Sequence, residues 1–458
     1  MSSRQHHVTL SGAQLLWLEF AERHPECLRR ESFVALDEWD DFVKDPLQPW
    51  PLFISPAPLA ELERVSVGLC RLVKSLPRRI FGNDPEGIAD FYGLDADTAL
   101  LITSVLERGD DRLHGALARC DFIASASGLQ CLELNVAGNL GGWETEAWLS
   151  RYRRSPLLAR FLEESGLRFR TTDTTRLLFT HLTGQALCRG VTHEGGELNT
   201  AIVIHPEERP GPAWTETLDA VYREVLAGWG LAGRFRLCGE TDLREKGGLL
   251  FLGGSRVHTV FDLYGGVLPR PVFAALMSGT VDVYNGPAAR ILSDKLNLAL
   301  LSETAEDGPF TPEERQLIAA HVPWSRRVAE EFTDWHGERV YLPELLDAER
   351  ERLVIKQGWA MQGADVCVGA LTPPERWAGL TAAALERRDW VVQERVESVP
   401  YLLQAPEGGA VPHDVIWGLF VFGDVYGGCF LRMMPQGRTG VINRALGASQ
   451  GMLFEVDE

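Results

Sequence analysis

The sequence predicts a mixed chain, part α/β and part α+β, with a helical N-terminal region and a parallel α/β subdomain in its middle. Three observations lead there. Residues 1 to about 115 carry apolar side chains at helical spacing. Residues 170 to 285 alternate helical and strand patterns, the rhythm of βαβ units. From about residue 350 onward, short alternating runs punctuated by glycine dominate, with one helix among them.

Length and composition bound the possibilities. A chain of 458 residues can bury a large core shared by two or three domains. Its apolar content of 45% and charged content of 24% are those of a globular protein. A formal charge of -19 repels a phosphate backbone, which argues against nucleic acid as a general partner. No stretch reaches the roughly 20 uncharged apolar residues of a membrane span. The N-terminal stretch lacks the apolar run of a signal peptide, so a cytoplasmic location is expected. None of the eight cysteines forms a CxxC pair, so neither a zinc site nor a disulfide framework is indicated.

In the N-terminal region, Ala13 to Glu22 and Leu59 to Leu76 read as helices, joined by a proline-rich loop from Pro46 to Pro58. Asp95 to Leu106 is a third, with Asp95 as N-cap. Trp39 and Trp50 are expected to pack rather than bind.

The stretch from Arg119 to Glu144 reads as two strands around a Ser127-Gly128 turn. Residues two apart on a strand share a face, so Glu133 and Asn135 project together. Asp121, on the first strand, comes alongside them across the hairpin, and Arg119 shares its face. Carboxylate and amide oxygens are hard ligands of the kind Mg²⁺ takes together with substrate phosphates. A guanidinium beside them can hold a phosphate or carboxylate bidentately. An ordinary hairpin with a solvated polar face would show the same pattern. Gly138, Gly141 and Gly142 follow in a loop, and a helix opens near Glu144.

Further on, Thr174 to Leu187 is predicted helical behind an Asp173 cap. Thr200 to His205, Phe235 to Cys238, Gly248 to Leu252, His258 to Tyr264 and Thr280 to Tyr284 are predicted strands, with helices at Trp214 to Trp229 and Pro271 to Met277. Ile291 to Leu301 reads as one helix whose only cation is Lys295, and a lone lysine on a helix is ordinarily solvated. Thr311 and Pro312 open another helix. Arg352 to Lys356 is a strand that ends in a lysine. Gly358 and Gly363 lie in the loop that follows, whose N–H groups can line phosphates. Asp389 to Val396, Ile416 to Phe422 and Val425 to Arg432 complete the strands, closed by Gly440 to Asn443. Arg432 and Arg438 have no acidic partner evident in sequence.

Several common motifs are absent. There is no GxGxxG after the first strand of the βαβ run, no GxxxxGK[ST], and no HExxH. The one GxSxG, at Gly447 to Gly451, has no histidine after it, so a hydrolase elbow is not indicated.

In their order, these segments resemble the ATP-grasp ligases, in particular the permuted group of glutathionylspermidine synthetase and eukaryotic glutathione synthetase. RCDF followed by CLELN resembles that family's Arg-x-Asp and Glu-x-Asn. ILSDK, LVIKQGWAMQGADV, WVVQERV, and GGCFLR with GVIN resemble its two lysine segments, adenine strand and closing strands. The resemblance covers residues 115 to 458 and implies four parts. Residues 1–115 are a helical region, 116–169 a metal-binding hairpin segment, 170–290 a substrate subdomain, and 291–458 the nucleotide-binding lysines, lid loop and closing strands. It implies ATP and Mg²⁺ as cofactors. Asp121, Glu133 and Asn135 would be metal ligands. Lys295, Lys356, Gln362, Gly363, Gln393, Glu394 and Val396 would meet nucleotide. Arg119 and Arg432 would be catalytic. The implied reaction joins a small-molecule carboxylate to an amine, with an amino acid or peptide as the expected substrate.

The chain departs from the family at two places. Met361-Gln362 stand where the family commonly has Arg-Glu, and the segment around Asp262 lacks the family's arginine. A nucleotide-binding protein of this fold without ligase activity, and a non-enzymatic binding protein, therefore stay open as alternatives.

Overall fold

The computed structural model describes residues 11–28, 46–107, 115–136, 140–191, 195–205, 207, 210–263, 268–284, 286–359, 366–405, 407–437, 440–442 and 446–457. The readings placed on Trp39, Gly138, Tyr264, Met361, Gln362, Gly363, Arg438 and Asn443 lie outside these residues.

A mixed sheet organises the chain. Its strands run in the order Leu52–Ile54, Ser449–Asp457, Val425–Pro435, Ala410–Phe422, Leu117–Ser125, Gly128–Val136. Leu52–Ile54 is parallel to its neighbour and the other pairs are antiparallel. Tyr401–Gln404 and Arg168–Arg170 extend the sheet from the strands 410–422 and 449–457. The long helix Pro56–Phe81 packs across one face. Its apolar stripe of Leu62, Val65, Leu69, Leu72, Val73 and Leu76 is buried there. On the same side the Cys70 thiol meets Cys120 of the hairpin at 3.1 Å. On the other face Trp148, from helix Thr145–Tyr152, stacks on Phe430.

The hairpin matches the predicted turn, with strands meeting at Ser125 and Gly128. The predicted closing segment Gly440 to Asn443 does not behave as expected: residues 440 to 442 form no strand. Ser449–Asp457 closes the sheet instead, because its apolar residues fill the space between Leu52–Ile54 and Val425–Pro435.

The middle of the chain builds a parallel sheet in the order Asp282–Tyr284, Thr259–Asp262, Thr200–Val203, Phe235–Cys238. The strand predicted over 258–264 is present as Thr259–Asp262 and begins just after His258. The ring Nδ1 of His258 accepts from Asn199 N–H, and the chain passes there from a three-stranded antiparallel sheet into the parallel one. That sheet has its own core around Val203, Val260, Val272 and Leu276.

A third core forms around Trp377, Trp390, Val392 and Ile355. Here Ser325–Arg327, Trp390–Glu394, Leu353–Gln357 and Val366–Val368 make an antiparallel sheet. Helices Leu342–Ala348 and Pro374–Arg387 pack against it.

The helix predicted over 291–301 is split into Ala289–Leu292 and Leu296–Glu303. Side chains replace the backbone bonds at the break. Asp294 accepts from the Leu296 N–H, and Asn297 Nδ2 donates to the carbonyls of Ile291 and Leu292. Of the eight cysteines only Cys188 is exposed, and none is in a disulfide. Among the described residues no helix is long and apolar enough to cross a membrane.

Candidate functional site

The register of the hairpin places Arg119 opposite Asn135 and Asp121 opposite Glu133. Directly opposed residues of an antiparallel pair share a face, so four polar side chains project together. They face away from the helix Pro56–Phe81, which takes the Cys120 side. Just beyond, the pairing passes from Asp121–Glu133 to Phe122–Cys131, so Leu132 is an extra residue in a β-bulge.

Asp121 is buried and accepts three hydrogen bonds. Arg119 Nε donates to its Oδ1 at 2.9 Å and Arg119 Nη2 to its Oδ2 at 3.1 Å. Arg432 Nη2, from the strand 425–435, donates to Oδ2 at 2.7 Å. Burial would raise the Asp121 carboxyl, but the two guanidiniums hold it below the ordinary carboxylate value. Gly418, on the strand between, makes room for this. A Cβ there would lie 3.0 Å from the Phe430 carbonyl, 3.1 Å from Arg119 Cδ and 3.3 Å from Asp121 Oδ1. Arg432, left without a partner by the sequence, thus finds one on a distant strand. Its Nε is buried and has no partner among the described residues.

Two lysines meet the hairpin from the other side. Lys295, at the start of helix Leu296–Glu303, is 5% exposed and contacts Glu133 Oε1 at 3.0 Å. The ordinary rule of a solvated helical lysine does not hold here: at the helix break the side chain turns inward. Lys356 Nζ donates to the Leu132 carbonyl at the bulge at 3.0 Å and to Gln393 Oε1 at 2.6 Å. Burial pushes its ammonium down to about 8, against the pull of Glu133, and Lys295 adds to the lowering.

Gln393 is buried, and its amide donates onward to Ser325 Oγ. Glu394 points to the opposite face of the same strand, as alternation requires, and pairs with Arg352 and His336. Val396 lies beyond the strand's end and is half-buried. The structure thus gathers Arg119, Asp121, Glu133, Lys295, Lys356, Arg432 and Gln393, with Asn135 on the same hairpin face. It turns the Glu394 side chain away from them.

Of the proposed metal ligands, Glu133 keeps one oxygen beyond its lysine contact, and the Asn135 side chain makes no hydrogen bond among the described residues. These two fit a hard divalent cation that shares phosphate oxygens. Asp121 already accepts from two guanidiniums, with acceptor capacity left only on Oδ1. Among the described residues no group of three or more His, Cys, Asp or Glu is placed to hold a metal ion.

Sequence reasoning missed Arg290, Asp294, Ser325 and Gly418. Arg290 and Asp294 are opposite charges four apart, a signal that was available in the sequence. Gly418 and Ser325 carried none.

No protein-family model matches the chain, and no curated protein matches it. Among solved structures it is similar to a glutathione synthetase-like effector from Globodera pallida in its apoform. That likeness has a TM-score of 0.55 at 13% identity and covers 96% of both chains. It extends over the whole fold and supports the mixed α/β architecture expected from the sequence. A Methylobacillus flagellatus KT protein, by name only a gamma-glutamylcysteine synthetase, aligns over 86% of both chains at 11% identity with a TM-score of 0.42.

Proposed function

We propose that the chain is an ATP-dependent carboxylate–amine ligase, and that the hairpin face with its two lysines and two arginines is its active site. The observation that carries this is the convergence of Lys295 and Lys356, both buried, on one polar hairpin face from separate elements. Buried lysines are expensive to keep charged, and an anion of several charges placed between them would offset that expense. The fold shared with a glutathione synthetase-like protein supports the same reading.

The chemistry follows from what the residues hold. A carboxylate is a poor acyl donor until a phosphoryl group from ATP converts it to an acylphosphate. An amine then attacks the acyl carbon, the C–O bond breaks, and phosphate leaves as an amide forms. Phosphoryl transfer depends on positioning and charge neutralisation more than on proton transfer. Lys295 and Lys356 would contact the nucleotide phosphates. Glu133 and Asn135 would hold Mg²⁺, which supplies charge neutralisation among phosphate oxygens. Arg119 and Arg432 would face the developing negative charge, and Asp121 keeps both guanidiniums aimed. The Gln393 to Val396 backbone, and Gln362 and Gly363 in the glycine loop, are the proposed remainder of the nucleotide site.

The test is ADP and phosphate release from Mg-ATP across a panel of amino acids, peptides and polyamines, with mass spectrometry of products. Phosphate release dependent on both an acid and an amine, with a product one water lighter than their sum, is the expected outcome. ATP binding without amine-dependent phosphate release would favour the second reading, a nucleotide-binding protein that does not ligate. Met361-Gln362 in the glycine loop favours that alternative.

A further inference from the structure

Three consecutive residues at the helix break tie it to the hairpin and to the segment just past Lys356. Ser293 Oγ donates to the Val136 carbonyl at the end of the hairpin. Lys295 reaches Glu133, and its N–H donates to the Gly358 carbonyl at 3.1 Å. Between them Asp294, 2% exposed, accepts from the Leu296 N–H with Oδ1 and from Arg290 Nη1 with Oδ2 at 2.8 Å. The same Oδ1 lies against the backbone of Gly358: a Cβ there would be 2.5 Å from it and 3.0 Å from the Asp389 carbonyl. Arg290 continues outward, its guanidinium 4.8 Å from the centre of the Trp359 ring.

Gly358 is two residues after Lys356, and its N–H is held by the Asp389 carbonyl. Asp294 is therefore a wedge between the two segments that carry the lysines. It sets the turn that aims Lys295 and seats the backbone just past Lys356. Glycine at 358 is explained by this close approach, since any side chain would enter the space of the carboxylate.

We infer that Asp294 is a positioning residue which, with Arg290 and Gly358, fixes Lys295 and Lys356 in one spatial relation for binding nucleotide phosphates. The inference rests on the nucleotide-binding reading above. A displacement of about 1 Å between two groups that grip one ligand is enough to lose much of their combined effect.

The experiment is calorimetric titration of the full chain and its variants with Mg-ATP, beside the thermal midpoint of each ligand-free protein. Asp294→Ala and Gly358→Ala should each weaken Mg-ATP binding by about tenfold. Asp294→Asn, which keeps the acceptor for Leu296 N–H, should recover most of the affinity. The double variant Asp294→Ala/Gly358→Ala should be weaker by clearly less than the product of the single effects, because the added methyl then meets no carboxylate. A purely structural role would shift the midpoints and leave affinity unchanged. Where Asp294→Ala yields no folded protein, Gly358→Ala and Asp294→Asn decide between the two roles in the same way. Wild-type protein that binds no Mg-ATP would overturn the nucleotide reading itself. Wild-type binding with Asp294→Ala or Gly358→Ala within about twofold of it, or fully multiplicative effects in the double variant, would overturn the positioning role alone.

Discussion

At the scale of single residues, Lys356 has the clearest consequence. Its ammonium sits at about 8 rather than at its ordinary value of 10.5. Between those values the folded chain binds fewer protons than the unfolded one, so this group makes stability rise with pH across that window. Nucleotide binding should run the opposite way. A phosphate needs the charged form, which is full below pH 8 and drains above it. Mg-ATP affinity measured from pH 7 to 9.5 should be level and then fall, by up to about tenfold per pH unit once past 8. In Lys356→Met the fall should vanish, with affinity low throughout and stability near neutral pH kept or raised. A wild-type affinity that stays level to pH 9.5 would remove Lys356 from the phosphate contacts. Individual side chains were unevenly legible in sequence. Glu133 and Asn135 were readable because strand alternation is strict. Lys295 was legible only through the family resemblance, since nothing in a helical pattern announces that the helix breaks beneath its lysine. The partner of Arg432 could not be read, because Asp121 lies 311 positions away on a strand whose neighbours are set by tertiary pairing.

Among elements, the five-strand run from the edge of the hairpin to the final strand carries the site, and Gly418 gives the Arg119 and Asp121 side chains room within it. A Cβ on the neighbouring strand at that point would press on the Arg119 side chain and on the Phe430 carbonyl. Gly418→Ala should cost about 1–3 kcal/mol, read from chemical denaturation, as overpacking in a filled space does. It should also weaken Mg-ATP binding or turnover, because Arg119 is displaced from Asp121. An alanine variant as stable and active as the parent would show that the sheet yields freely there. Element by element, the hairpin, the helix capped by Thr311 and the parallel strands of the middle subdomain were legible. Each has a local signal: a turn dipeptide, a capping box completed by Glu314, or a continuous apolar run. The last strand was not legible, because Ser449–Asp457 is defined by the groove it fills rather than by alternation. The bulge at Leu132 was hidden for a related reason: an extra residue is visible only once both strands are in register.

On the scale of the whole molecule, the described residues form four apolar cores, and the segments that meet at the site come from residues 119, 133, 295, 356 and 432. Their order was legible as a resemblance, whereas their contacts depend on long-range pairings that sequence patterns do not specify. The distribution of sulfur across these cores has a further use. Cys188 is exposed, Cys367 is half-buried, and the other six are enclosed, three of them in the strands that bear the site. Burial drives the thiols of Cys120, Cys131 and Cys429 well above their ordinary value, which withholds the reactive thiolate. An aromatic disulfide reagent should therefore titrate one group promptly, a second more slowly, and the remainder only as the protein breathes. Prompt labelling of four or more groups in the native state would contradict this layering. The slow phase gives each core its own clock. If Mg-ATP joins the hairpin to the lysine segments, it should slow modification of Cys120 and Cys131 while Cys238, in the parallel subdomain, keeps its pace.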